Sequence, residues 1–188
     1  SAEAVLLLWL AQKSQIKLIK ITSVLVLVLM VFSLIMDWSQ LYQNHTIVLA
    51  IIINKAFITS VVSLAAVFIV WQLLKNETET FFIDSSINLN LYKNALLILM
   101  TLMLYATLGL ELNYQLIQYV PYYQGREVVL AIYNFAYLAA IIWFTRKIED
   151  QILLVVKILL VTTCILSYLF VINKAVIELR NDFLEINS

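Results

Sequence analysis

Five uninterrupted apolar stretches, each long enough to cross a bilayer as a helix, constrain this chain more than any other feature. They are Leu18–Met36, Ala56–Leu74, Ala95–Leu112, Val128–Thr145 and Ile152–Ile172. A spanning helix needs about 20 mostly apolar residues, because it rises about 1.5 Å per residue through a hydrocarbon core about 30 Å thick. None of the five alternates apolar and polar residues as a barrel strand does. They predict an all-α, polytopic transmembrane helical bundle, a multi-pass membrane protein with a single domain over residues 1–188. Five full spans are expected, with a short N-terminal helical stub before them and an amphipathic helical extension, residues 173–186, after them.

Composition removes the soluble alternatives. Hydrophobic residues make up 63% of the 188 and charged residues 13%. Soluble domains run at about 45–50% and about 25%. Twelve basic residues balance twelve acidic ones, so no positive field exists to attract nucleic acid. Cys164 is the one cysteine and His45 the one histidine. They supply neither a disulfide nor the several ligands that zinc or haem requires, and no metal or other cofactor is expected. Gly109 and Gly125 are the two glycines and Pro121 the one proline. No glycine-rich phosphate loop is present, and the spans read as unbroken rods, unlike the interrupted helices of many secondary transporters.

The ends of the spans carry the punctuation. Ala4–Ala11 is apolar but too short to cross, and stops at Gln12-Lys13-Ser14-Gln15; this is the stub. Ile47–Ile53 is expected to lengthen the second span into a long tilted helix. Trp9, Trp38, Trp71 and Trp143 fall at or near stretch ends, where amphipathic rings collect at the headgroups. Five alternating spans put Lys13, Lys17, Lys20, Lys75, Lys93, Arg146 and Lys147 on one side and Lys55, Arg126, Lys174 and Arg180 on the other. The richer side is expected to be cytoplasmic.

Ionisable groups inside a span are costly, so each needs a partner or an escape to water. Lys55 and Glu111 come to the same membrane face and form a candidate ion pair. Lys157 lies about 9 Å inside the fifth span by helical rise, within snorkelling reach of the headgroups near Glu149 and Asp150. Asn134, between Tyr133 and Tyr137, cannot snorkel far and suits an interhelical hydrogen bond. Ala136, Ala139 and Ala140 on its own span, and Ser60 and Ser63 on the second, allow the close approach that such a bond needs. Tyr114, Tyr119, Tyr122 and Tyr123 crowd an expected loop, Asn113–Glu127, and offer an interfacial or partner-docking surface. In the tail, Val176, Leu179, Phe183 and Ile186 recur at helical spacing opposite an acidic stripe of Glu178, Asp182 and Glu185. That face suits docking on protein, in this chain or a partner, better than binding anionic lipid.

Three functions fit these residues. A non-catalytic membrane module, packing with further spans or partner subunits amid lipid, agrees best with unbroken helices and a docking tail. A transporter or channel piece would line its path with Lys55, Glu111, Asn134 and Lys157. A membrane enzyme acting on lipid-linked sugar would use Asp37, Glu111 and Glu127, but no spacing ties these into an acid–base pair, and no catalytic residue is assigned.

The opening Ala2–Leu10 ends in the pair Trp9-Leu10. Lys13, Lys17 and Lys20 follow, then a span closed by Asp37-Trp38. This arrangement, over roughly residues 2–38, resembles a stretch in a family of large bacterial polytopic inner-membrane proteins, catalogued as predicted membrane proteins with a domain of unknown function. The resemblance implies a bacterial inner (cytoplasmic) membrane protein with many spans and uncharacterised activity, of which this chain is a C-terminal portion. It implies no substrate.

Overall fold

The structure, a computed structural model, describes residues 2–14, 16–42, 50–51, 53–75, 77, 81–83, 87–146 and 151–186. It is all-α. Helices α1 (Ala2–Ser14), α2 (Lys17–Tyr42) and α3 (Lys55–Lys75) come first. A small antiparallel pair of strands, β1 (Phe81–Ile83) and β2 (Ile87–Asn88), lies between α3 and the long α4 (Leu89–Tyr119). Then come α5 (Tyr123–Phe144), α6 (Gln151–Ser167), a π-helical turn (Tyr168–Ile172) and α7 (Asn173–Ile186). Five helical stretches are long and apolar enough to cross a membrane: α2, α3, α4, α5, and Lys157–Glu178 through the last three elements. The chain has the features of an integral, multi-pass membrane protein. It forms two compact units, Ser1–Glu111 and Leu112–Ser188.

In the first unit the helices meet along stripes of helical spacing. The stub α1 buries Ala4, Leu8 and Ala11; α2 buries Lys20, Ser23, Leu27, Leu34 and Tyr42. On α3 the buried stripe is Ala56, Ser60, Ser63, Val67, Val70 and Leu74. Its small residues matter, because helices in lipid associate through close backbone approach rather than through hydrophobic burial. Leu89, Leu96 and Met103 of α4 join the same core as Leu8, Leu27, Leu34, Val67 and Leu74.

Hydrogen bonds fix the helix directions. At one end the Trp38 indole N–H donates to Ser60 Oγ at 2.7 Å, and Ser60 donates in turn to the Ala56 carbonyl at 2.7 Å. At the other end Gln12 Nε2 donates to the Leu73 carbonyl at 3.2 Å. Lys20, within the first apolar stretch, pairs with Glu77 just beyond α3 at 3.1 Å. Thus α1 and α3 run parallel, both antiparallel to α2.

The expected lengthening of the second span across Ile47–Ile53 is corrected. Ala50, Ile51 and Ile53 are not helical, and residues 47–49 and 52 lie outside the described residues. Asn54 starts the helix instead: its Oδ1 accepts the Phe57 N–H at 2.8 Å, as an N-cap does for one of the unsatisfied donors of the first turn.

In the second unit, the expected loop Asn113–Glu127 is also corrected. No glycine or proline interrupts residues 113–120, so α4 continues to Tyr119 and only residues 120–122 separate it from α5. Arg126 clasps this turn, its Nε donating to the Val120 carbonyl at 2.7 Å and its Nη2 to the Pro121 carbonyl at 3.1 Å. The last rod is helical throughout Gln151–Ile186, but Tyr168–Ile172 form a π turn rather than regular α-helix. Tyr168, in that turn, meets Phe135 of α5 edge to face at 6.3 Å. Beyond it α7 returns along α5 in the same chain, with Ala175 and Ala131 buried. Ala175→Leu should therefore lower stability by about 1–3 kcal/mol through overpacking, measured by denaturation in detergent. Val176→Leu, on an exposed neighbour, should change it by less than about 0.5 kcal/mol.

Candidate functional site: a buried carboxylate held by three helices

The strongest polar constellation in the first unit forms where α2 ends, α3 begins and α4 passes. Glu111 lies 22 positions after Leu89, so helical rise puts it about 33 Å along α4, close to one hydrocarbon thickness from the start. Its side chain faces the stripe that carries Met103 and Thr107, and it is only 6% exposed. A carboxylate buried there needs donors, because hydrocarbon supplies none.

Two neighbours supply them. Tyr42, the last residue of α2, donates its hydroxyl proton to Glu111 Oε2 at 3.0 Å. Asn54 donates from Nδ2 to the same oxygen at 2.7 Å, and also to the Ala50 carbonyl at 3.1 Å. With Oδ1 on the Phe57 N–H, one amide caps α3, holds the segment before it and binds α4. Such a buried, partnered network costs several kcal/mol to leave half satisfied.

The Lys55–Glu111 ion pair does not form. Lys55 opens α3 and is exposed, and the group that meets Glu111 is its predecessor Asn54. The physical reason is the cap: an N-cap side chain folds over the start of its helix, while the first helical residue is rotated away by about 100°. Sequence reasoning missed both Asn54 and Tyr42. The signal for Asn54 was an Asn directly before an apolar helical run; nothing in the sequence links Tyr42 to a carboxylate 69 residues later.

The other candidates occupy separate places within the second unit. Lys157 Nζ donates to the Thr145 carbonyl at 2.8 Å, a cation at the C-terminus of α5 where the helix dipole and the unsatisfied carbonyls favour it. The headgroup-side acids Glu149 and Asp150 lie outside the described residues. Asn134 is exposed at mid-length on α5, about 16 Å from Thr145 by helical rise, so Lys157 and Asn134 form no common site. The tyrosines divide: Tyr114 is 1% exposed, whereas Tyr119, Tyr122 and Tyr123 stand out at the Arg126-clasped turn. On the tail, Val176 is exposed; the side chains of Leu179, Phe183 and Ile186 lie outside the described residues. Among the described residues no three His, Cys, Asp or Glu side chains gather to hold a metal.

A double-mutant cycle checks the assignment. Asn54→Ala and Glu111→Ala should each destabilise the protein, with a coupling of about 1.5–3 kcal/mol expected for a hydrogen bond to a charged group. Lys55→Met should change stability by less than about 0.5 kcal/mol. Detergent-solubilised protein titrated with sodium dodecyl sulfate gives the readout.

Comparison with protein-family models, with curated proteins and with solved structures gives no match.

Proposed function

We propose that this chain is a non-catalytic, membrane-integral packing module whose exposed helix faces meet other transmembrane segments of a larger protein or complex. The observation that carries this reading is how unevenly the spans use their own chain. In α3, 33% of the most apolar stretch is buried within the chain; in α5 the figure is 11%. The little-buried face of α5 is also not a plain lipid surface. Exposed Ala136 and Ala139 lie there at helical spacing among the exposed Val129, Ile132 and Trp143. In lipid, small residues on an exposed face are the feature that lets one helix seat closely on another.

The buried polar groups support the same reading. Glu111 binds helices together through Tyr42 and Asn54, Lys20 binds Glu77, and Lys157 caps α5. Each has a job in holding the chain's own helices.

A photo-activated crosslinking residue at Ile132 or Ala136, illuminated in native membranes, tests the proposal. The expected product is a protein adduct of one discrete added mass. Adducts to lipid alone, from both positions, would contradict it. A proteoliposome flux abolished by both Glu111→Gln and Asn134→Leu would favour a transporter instead.

A further inference from the structure

The lysine end of the first unit repeats one small device on two neighbouring helices. In α1 it is Trp9-Leu10-Ala11-Gln12-Lys13; in α3 it is Trp71-Gln72-Leu73-Leu74-Lys75. A spacing of four puts each lysine on the same helix face as its tryptophan. Lys13 Nζ lies 4.4 Å from the centre of the Trp9 ring, and Lys75 Nζ lies 5.7 Å from that of Trp71. The two helices run parallel, and the bond from Gln12 Nε2 to the Leu73 carbonyl sets them at matching height. Both ammonium groups therefore emerge at one level, each seated over an indole ring.

Among the described residues the exposed charge at that level is basic. Glu77 is drawn inward onto Lys20, and the two side chains are 13% and 9% exposed, so this carboxylate is not a surface counter-ion. Among the described residues neither Lys13 nor Lys75 has an ion-pair partner. Lys17, also exposed, opens α2 at the same end. Below the lysines the surface turns apolar at once, with Leu6, Trp9 and Leu10 exposed on α1.

From this juxtaposition we infer that Lys13 and Lys75 bind the phosphate of an anionic glycerophospholipid, whose acyl chains lie along the apolar face of α1. A cation over a tryptophan ring at the end of an apolar helix is held at headgroup height, and surface lysines attract anionic lipid at about 1 kcal/mol each. A zwitterionic lipid offers the same acyl chains but cancels its own phosphate charge, so it binds less well.

Native mass spectrometry of the full chain, released from mixed phosphatidylcholine and phosphatidylglycerol micelles, tests the site. Phosphatidylglycerol should be retained preferentially, and K13Q/K75Q should weaken its retention about thirtyfold, about fivefold per lysine. K13R/K75R, which keeps both charges, should retain it, and K174Q, on α7, should leave it unchanged; equal retention by wild type and K13Q/K75Q would overturn the assignment. Inorganic phosphate offered to delipidated protein should bind far more weakly than the lipid, and equal binding would show a phosphate site rather than a lipid site.

Discussion

Hydrocarbon offers no hydrogen-bond partner, and the polar side chains described within the spans of the first unit are arranged around that fact. The backbone satisfies itself by staying helical through α2, α3, α4 and α5. Serines and threonines on these helices turn their hydroxyls back onto their own turns, as Ser23 does to the Lys20 carbonyl and Thr107 to the Met103 carbonyl. Groups that cannot do this locally reach another helix. Trp38 reaches Ser60, Tyr42 and Asn54 reach Glu111, and Lys20 reaches Glu77. The polar contacts are thus also the contacts that set helix direction and height.

This makes the first unit a structure latched at two ends. Gln12, Lys20 and Glu77 join α1, α2 and the chain just past α3 at the lysine-rich end. Asn54, Tyr42 and Glu111 join α2, α3 and α4 about one hydrocarbon thickness away. Between the latches the contacts are apolar or small: Leu27, Leu34, Ser63, Ala66, Val67 and Met103. The second unit uses weaker devices, a lysine on a helix end, an aromatic edge contact and one buried alanine on each of α5 and α7. Its spans bury a smaller share of their most apolar stretches, 11% in α5 against 33% in α3, and the exposed face of α5 is what the proposed packing role would use.

The helices themselves were legible in the sequence, because the need for about 20 apolar residues leaves little freedom. Their ends were not. The run ending at Met36 continues as helix to Tyr42, and the run ending at Leu112 continues to Tyr119, since residues past the hydrocarbon can be polar and still helical. The start of α3 was misread for the opposite reason: the apolar Ile51 and Ile53 suggested helix, but Asn54 capped it about two turns short of Ile47. At the candidate site, Glu111 stood out as a lone carboxylate in an apolar stretch. Its partners did not, because charge complementarity pointed to Lys55 whereas cap geometry places Asn54 there. The division of the tyrosines, with Tyr114 buried and its three companions exposed, depends on helical phase after Leu112, which an assumed loop erases. The π turn at Tyr168–Ile172 has no glycine or proline to announce it.

Amide hydrogen exchange of the protein in lipid nanodiscs tests the central claim, that lipid surrounds these helices and their polar groups are satisfied from within. Amides of Leu25–Leu34, Val61–Val70, Leu97–Leu108 and Ile132–Ile141 should remain protected after the connecting segments have exchanged. Exchange in those stretches as fast as in the α3–α4 connection would mean that water reaches them, and the account would fail.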